Sequence, residues 1–274
     1  MNTLVPRPAL RVFVTGGTSG LGLALVEAFA ARGDEVAFVA RRGDAVATVA
    51  RRVEGSHGIV GDVARKEDAH AIALQVGAAL GGLDVLVNNA SSLGPVPLAL
   101  LADTECEDFE AALAANVVGP FRLTKALLGL LAGAAREGAD AGRRSVVLNV
   151  SSDAAITPYA GWGAYGASKA ALAHLSRIWD EELRPHGVAV VAVDPGDMDT
   201  PLHALAVPDA DPATLKRPAD AARELVARID RELVAGIDRE RAGQIDGERA
   251  AAFGAAVAVA TTVAARVATL RSAA

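Results

Sequence analysis

Thr15-Gly16-Gly17-Thr18-Ser19-Gly20-Leu21-Gly22 joins an apolar run, Arg11–Thr15, to an amphipathic stretch, Leu21–Arg32, and this junction decides the fold. Glycines reach positive φ and carry no side chain, so backbone N–H groups in such a turn can close on a pyrophosphate. The N-terminus of the following helix adds partial positive charge. Gly16, Gly20 and Gly22 depart from the G-x-G-x-x-G spacing, and a glycine-rich turn alone is often no more than a tight loop. The strand and helix patterns on either side are what favour a phosphate cradle.

Outward from this turn, short Val-rich runs alternate with longer Ala- and Leu-rich segments. Strands are expected at Arg11–Thr15, Glu35–Ala40, Gly58–Gly61, Leu83–Asn88, Ser145–Ser151 and Val188–Asp194, and helices at Leu21–Arg32, Glu67–Leu80, Thr104–Ala135 and Gly163–Leu183. Most of these strands are apolar on both faces, as strands covered by helices on two sides must be. The expected fold is α/β: a single doubly wound parallel sheet with helices on both faces, taking ligands beyond the carboxyl ends of its strands. Gly119-Pro120 interrupts the third helix and should bend it near Asn116, because proline cannot donate a helical hydrogen bond.

Chemistry-bearing residues recur at those carboxyl ends. The second strand closes on Ala40-Arg41-Arg42, with no acid to accept from a ribose 2′-hydroxyl; two guanidinium groups suit a 2′-phosphate and so favour NADP over NAD. Ordinary surface arginines at a strand end are the competing explanation. Asp62-Val63 and Asn88-Asn89-Ala90 close the third and fourth strands, where Asp and Asn also commonly serve turns. Ser152 follows the fifth strand, Tyr165 comes thirteen residues later, and Lys169 sits one helical turn beyond it. A tyrosine of pKa ~10 is a weak base at neutral pH, and a lysine on the same helix face lowers the energy of its phenolate. A serine hydroxyl can stabilise an oxygen that gains charge beside it. Taken alone, Tyr-x-x-x-Lys has many innocent occurrences.

The formal net charge of −6 disfavours a nucleic-acid partner. Five scattered histidines and a lone Cys106 offer no metal site and no internal disulfide, and a reducing cytoplasm is the expected compartment. Neither the opening residues nor Ala250–Ala265 has the length and apolarity of a signal peptide or membrane span.

An eight-residue unit recurs as RELVARID, RELVAGID and RERAGQID from Arg223, Arg231 and Arg239. Each octad advances a helix by about 80° beyond two turns, so Leu225, Ile229, Leu233 and Ile237 are expected to wind around the axis of a charged, solvated helix dispensable for chemistry. A partner-docking arm is the alternative. The division expected is a catalytic, dinucleotide-binding unit over 1–230 and an extension over 231–274.

Thr15–Gly22, Asn88–Ala90, Asn116, Ser152, Tyr165, Lys169 and Pro195-Gly196 together resemble the short-chain dehydrogenase/reductases in order and spacing, over about Arg11 to Ile229. The resemblance implies a Rossmann-type fold, a nicotinamide cofactor, a small carbonyl or alcohol substrate and a homo-dimer or homo-tetramer. It implies that Tyr165 is the general acid/base and that Lys169 lowers its pKa and binds the nicotinamide ribose. Ser152 would be the substrate-oxygen donor, and Asn116 would hold a proton-relay water. Cofactor contacts would come from Gly16, Thr18, Ser19, Gly20, Leu21 and Gly22, from Arg41 and Arg42, from Asp62 and Val63 at the adenine, from Asn89 and Ala90, and from Pro195, Gly196, Met198 and Thr200 at the nicotinamide. Ser91 stands where the family most often has glycine. Asn88–Gly94, Gly161–Tyr165 and Asp194–Thr200 are most similar to sepiapterin-reductase-like carbonyl reductases, with Trp162 as a flat wall for a ring or simple packing. A non-catalytic NADP sensor or scaffold of the same fold is the alternative function; an intact Ser-Tyr-Lys-Asn set argues against it.

Overall fold

The computed structural model describes residues 8–234. Within them β1 (Arg11–Thr15), β2 (Glu35–Ala40), β3 (Ser56–Val60), β4 (Val85–Asn88), β5 (Ser145–Val150) and β6 (Val188–Val193) form one parallel sheet in the order β3-β2-β1-β4-β5-β6. The helices are α1 (Gly20–Ala31), α2 (Gly43–Arg52), α3 (Asp68–Leu80), α4 (Cys106–Leu113), α5 (Gly119–Gly138), α6 (Gly163–Leu183), α7 (Pro201–Ala206) and α8 (Pro218–Val234). Strand order reverses direction at β1, between β2 and β4, so the loops leaving β1 and β4 diverge and leave a crevice at their carboxyl ends.

The strands' alternation explains the double layer. In β1, Val12 and Val14 pack with Leu25, Phe29 and Ile229, whereas Phe13 packs on the opposite face with Ile72, Leu123 and Leu127. Each face of the sheet thus seals a separate apolar cluster, and neither side of the strand can tolerate a polar run.

Two expectations are corrected. The segment expected as one helix over Thr104–Ala135 is divided: α4 passes into a π-helical turn, Ala114–Val118, before α5 begins. Pro120 has no N–H to offer the Asn116 carbonyl four residues back, and the Gly119 N–H reaches five residues back to the Ala114 carbonyl instead. The bend falls where the proline predicted it, as a widened turn. The continuous helical stretch Cys106–Ala141 is long and apolar enough to resemble a membrane span, but its Leu123, Leu127 and Leu131 are buried against the sheet.

The octad segment is not a solvated helix over the residues described. α8 packs on α1 and β5, with Leu225, Val226, Ile229 and Leu233 buried. Steps of four residues drift only about 40° each, so the two steps from Leu225 through Ile229 to Leu233 drift about 80° and remain within an apolar face of ~100°. Its end is also anchored: buried Arg144 donates through Nε to the Glu232 carbonyl at 2.5 Å and through Nη2 to Glu232 Oε2 at 2.6 Å. Truncation after Ile229 would remove both Glu232 and Leu233; Ile237 and the later octads lie outside the described residues. Ile229→Ala is expected to lower unfolding free energy by about 2–4 kcal/mol, read by urea denaturation. A loss under about 0.5 kcal/mol, the size of an ordinary surface change, would contradict its place in the core.

Candidate active site

The glycine turn is shaped by contacts that exclude side chains. Gly16 and Gly20 hold φ of 71° and 50°. A Cβ at Gly22 would sit 2.2 Å from the Gly16 carbonyl oxygen and 2.5 Å from Asn89 Nδ2. Asn89 Nδ2 donates to the Thr15 carbonyl at 2.8 Å, while Thr15 Oγ1 accepts the Asn89 and Ala90 N–H groups at 2.9 and 3.0 Å. Thr15 therefore ties the end of β1 to the end of β4, a role its sequence context did not signal. No side chain caps α1, and its first turn carries no acid, so the helix's amide dipoles face outward. A cradle that a single Cβ would fill, beneath an uncapped helix N-terminus, fits a diphosphate.

This cradle is one end of a cleft of about 1130 Å³ across the carboxyl ends of the strands. Thr18, Ser19 and Leu21 line it beside the glycines, as do Arg41, Arg42, Asp62, Val63, Asn89 and Ala90. Asp62 Oδ1 accepts the Ala64 N–H at 2.9 Å, and its own N–H donates to Asp68 Oδ2 at 2.8 Å, fixing that loop. The two arginines are not equivalent. Arg42 is tied to Asp44 at 2.6 Å on the surface, whereas Arg41 has no ion pair among the described residues and is the available guanidinium.

Pro195, Gly196, Met198 and Thr200 form the wall that faces the glycine turn. Thr200 Oγ1 accepts the His203 N–H at 3.1 Å and starts α7, and its methyl lies 3.1 Å from where a Gly20 Cβ would be. Lys216 holds this wall: its Nζ donates to the Pro195 carbonyl at 3.1 Å and pairs with Glu224 of α8 at 2.7 Å. Distant in sequence and unremarkable in composition, Lys216 escaped detection from sequence.

Ser152, Tyr165 and Lys169 meet in the same cleft. Tyr165 and Lys169 occupy the first turns of α6 and are 8% and 2% exposed. Lys169 Nζ donates to the Val150 carbonyl at 2.8 Å and lies 5.4 Å from the Tyr165 ring centroid. Ser152 Oγ donates to Asp153 Oδ1 at 3.0 Å, and Ser152 and Ser91 line the cleft beside Tyr165. Burial pushes the Tyr165 phenol up to about 12; the two serine hydroxyls oppose this, and the nearby charges of Asp194 and Asp153 reinforce it. Burial alone pushes Lys169 down to about 8. Desolvation and not the lysine dominates the phenol here, and the ammonium is aimed at a backbone carbonyl.

Asn116 is the most enclosed of the four expected catalytic residues. It is 1% exposed and stands behind the cleft wall. Its Oδ1 accepts from Ser91 Oγ at 3.1 Å and from the Ser92 N–H at 2.8 Å; its Nδ2 donates to the Ser92 carbonyl at 2.7 Å and to Ser168 Oγ at 2.8 Å. With those partners the side chain is spent on structure, so a water could be held there only through its backbone. Trp162 meets Tyr165 edge-on at 5.7 Å and packs against the cluster of Leu93, Ala154 and Tyr165. Among the described residues no group of side chains could hold a metal ion.

Residues 11–211 match the short chain dehydrogenase family. An uncharacterized short-chain type dehydrogenase/reductase of Sinorhizobium fredii is 34% identical over 197 residues, which are 72% of this chain but only 34% of that longer protein. The crystal structure of a 3-ketoacyl-(acyl-carrier-protein) reductase from Brucella melitensis complexed with NADH superposes with a TM-score of 0.73 at 26% identity, covering 80% of this chain and 89% of that one. A short chain dehydrogenase from Escherichia coli CFT073 complexed with NADPH gives 0.72 at 25% identity, with 81% and 91% covered.

Proposed function

The chain belongs to the short-chain dehydrogenase family, and we propose that it transfers hydride between NADP(H) and a small carbonyl or alcohol, with Tyr165 as general acid/base. The observation that carries this is the convergence of Ser152, Tyr165 and Lys169 at one end of a cleft whose other end is a diphosphate-shaped glycine cradle. A bound nicotinamide cofactor supplies or accepts the hydride. The chain's own residues do the rest. Ser152 turns its hydroxyl from Asp153 towards the substrate oxygen and stabilises charge there. The buried phenol is protonated at neutral pH, so it holds the proton a forming alkoxide needs. Lys169 presents a buried amine beneath the ring, placed for a ribose hydroxyl as well as the Val150 carbonyl. Trp162, Leu93 and Leu202 exclude water from the oxygen's surroundings and favour a compact apolar substrate.

The finer assignment is a carbonyl reductase of the sepiapterin-reductase-like kind, acting on ketones or vicinal diketones; its support is the Asn88–Gly94, Gly161–Tyr165 and Asp194–Thr200 motifs together with the Trp162 wall. A cytoplasmic homo-dimer or homo-tetramer is proposed on the family resemblance and the lone cysteine. A panel of ketones and diketones assayed in parallel with NADPH and NADH tests the function, and absence of turnover with every member would refute it.

NADP preference rests on Ala40 and Arg41. An available guanidinium gives charge-assisted bonds to a 2′-phosphate, and after solvent screening a preference of about tenfold in kcat/KM is expected. The Ala40→Asp, Arg41→Ala double variant should reverse it. An unchanged cofactor ratio would make Arg41 surface decoration.

A further inference from the structure

We infer that Asp153 is a specificity-determining residue of the cleft, and that the ketone it selects carries a hydroxyl on the carbon next to its carbonyl. This rests on the hydride-transfer function proposed above, with Ser152 as the donor to the substrate oxygen. Ser152 Oγ donates to Asp153 Oδ1 at 3.0 Å, the Tyr159 hydroxyl donates to Asp153 Oδ2 at 2.7 Å, and all three residues line the cleft. The Tyr159 bond holds the Asp153 carboxyl below the usual carboxylate range, so at neutral pH it is ionised and offers acceptors only.

A serine hydroxyl has a single proton to donate. The Ser152 oxygen also accepts the Ala154 N–H at 3.2 Å, which keeps it at the head of the turn Asp153–Ala155. When its proton turns to a substrate oxygen, the partner given up is therefore Asp153 Oδ1. Asp153 is exposed, so in the free protein water can supply that donor; a bound substrate occupies the same space. A ligand that puts only carbon there leaves a carboxylate oxygen one donor short, and such a loss costs more than an ordinary bond returns. Ser152 Oγ in contact with the substrate oxygen at ~2.7 Å would place Oδ1 within about 6 Å of that oxygen. A hydroxyl on the neighbouring carbon fits between the two, and its proton takes the place of the serine's. A plain ketone has no such donor, and a vicinal diketone brings a second acceptor, which the carboxylate repels. Tyr159 keeps Oδ2 engaged, while Trp162 and Leu93 take the carbon frame. Hydride and proton move as proposed above, and the reduced product is a vicinal diol.

The test uses 3-hydroxy-2-butanone, 2-butanone and 2,3-butanedione with NADPH, in the parent and in Asp153→Ala. Comparing ratios of kcat/KM between the two proteins cancels the probes' own reactivities. The hydroxyketone-to-butanone ratio should be about tenfold higher in the parent, the effect of one hydrogen bond to a charged group discounted for solvent. Asp153→Asn, of the same size but able to donate, should raise 2,3-butanedione relative to the hydroxyketone. A merely structural role for Asp153 would lower activity on all three probes alike, and ratios that agree in parent and Asp153→Ala overturn the proposal. Binding is read without turnover by saturation-transfer NMR with NADP⁺ present, where 2,3-butanediol should outcompete 2-butanol in the parent and not in Asp153→Ala. Turnover with unchanged ratios refutes the role of Asp153 alone. A diol preference that Asp153→Ala removes, in a protein that reduces none of the probes, would uphold the site and refute the functional reading instead.

Discussion

Tyr165→Phe is expected to lower turnover by about a hundredfold or more while the protein folds and binds cofactor as before. The substitution removes one oxygen. The ring keeps its edge contact with Trp162 at 5.7 Å and its place over Lys169 at 5.4 Å, and the Ser152 and Ser91 hydroxyls retain Asp153 and Asn116 as acceptors, so no buried donor is orphaned. Stability should move by less than about 1 kcal/mol. What disappears is the proton that a substrate oxygen requires. Steady-state kinetics with the best substrate of the panel, paired with fluorescence titration of NADPH, separate the two effects. Residual activity above about a tenth of the parent would remove Tyr165 from the chemistry, since general acid–base catalysis contributes at least a hundredfold in ordinary cases.

Sequence carried far where a physical requirement left a local mark. The cradle was visible at Gly16, Gly20 and Gly22 because close backbone approach admits nothing else, and the contacts of a Gly22 Cβ bear that out. Pro120 announced the irregular turn at Asn116 because a missing N–H cannot be hidden. What stayed illegible depended on residues far apart in the chain. That Asn116 spends its amide on Ser92 and Ser168 follows from where β4's loop and α6 come together. That Arg42 is committed to Asp44 while Arg41 is not depends on rotamers around the start of α2. The octads misled for a different reason. Their drift of about 80° per unit governs a long array, but α8 as described spans barely one and a half units and buries its stripe against α1 before the drift matters.

Lys169→Met is expected to abolish activity and, at neutral pH, to raise the melting temperature. Burial pushes the lysine's pKa down from 10.5 to about 8 in the folded chain. Below pH 8 the amine is charged in both states, and the folded state carries the full cost of burying that charge. Between about 8 and 10.5 the unfolded lysine still holds a proton that the folded one has released, so native stability rises with pH through this window and is level beyond it. The cost at pH 7 is about 3 kcal/mol. Methionine matches the length and apolar stem without the charge, but it leaves the Val150 carbonyl without its donor, a loss of about 1–3 kcal/mol. The balance is a gain of about 1 kcal/mol, or roughly 2–4 °C for a chain of this size, and it should turn into a deficit above about pH 10.5, where only the lost hydrogen bond remains. Melting curves of variant and parent at pH 7 and 10.5 read the difference directly, other titrating groups cancelling between the two proteins. A variant that melts below its parent at pH 7 would show that the lysine is not held at a cost. The opposite result would mean that the fold tolerates a destabilising ammonium beneath Tyr165, which is what a site kept for chemistry at the expense of stability requires.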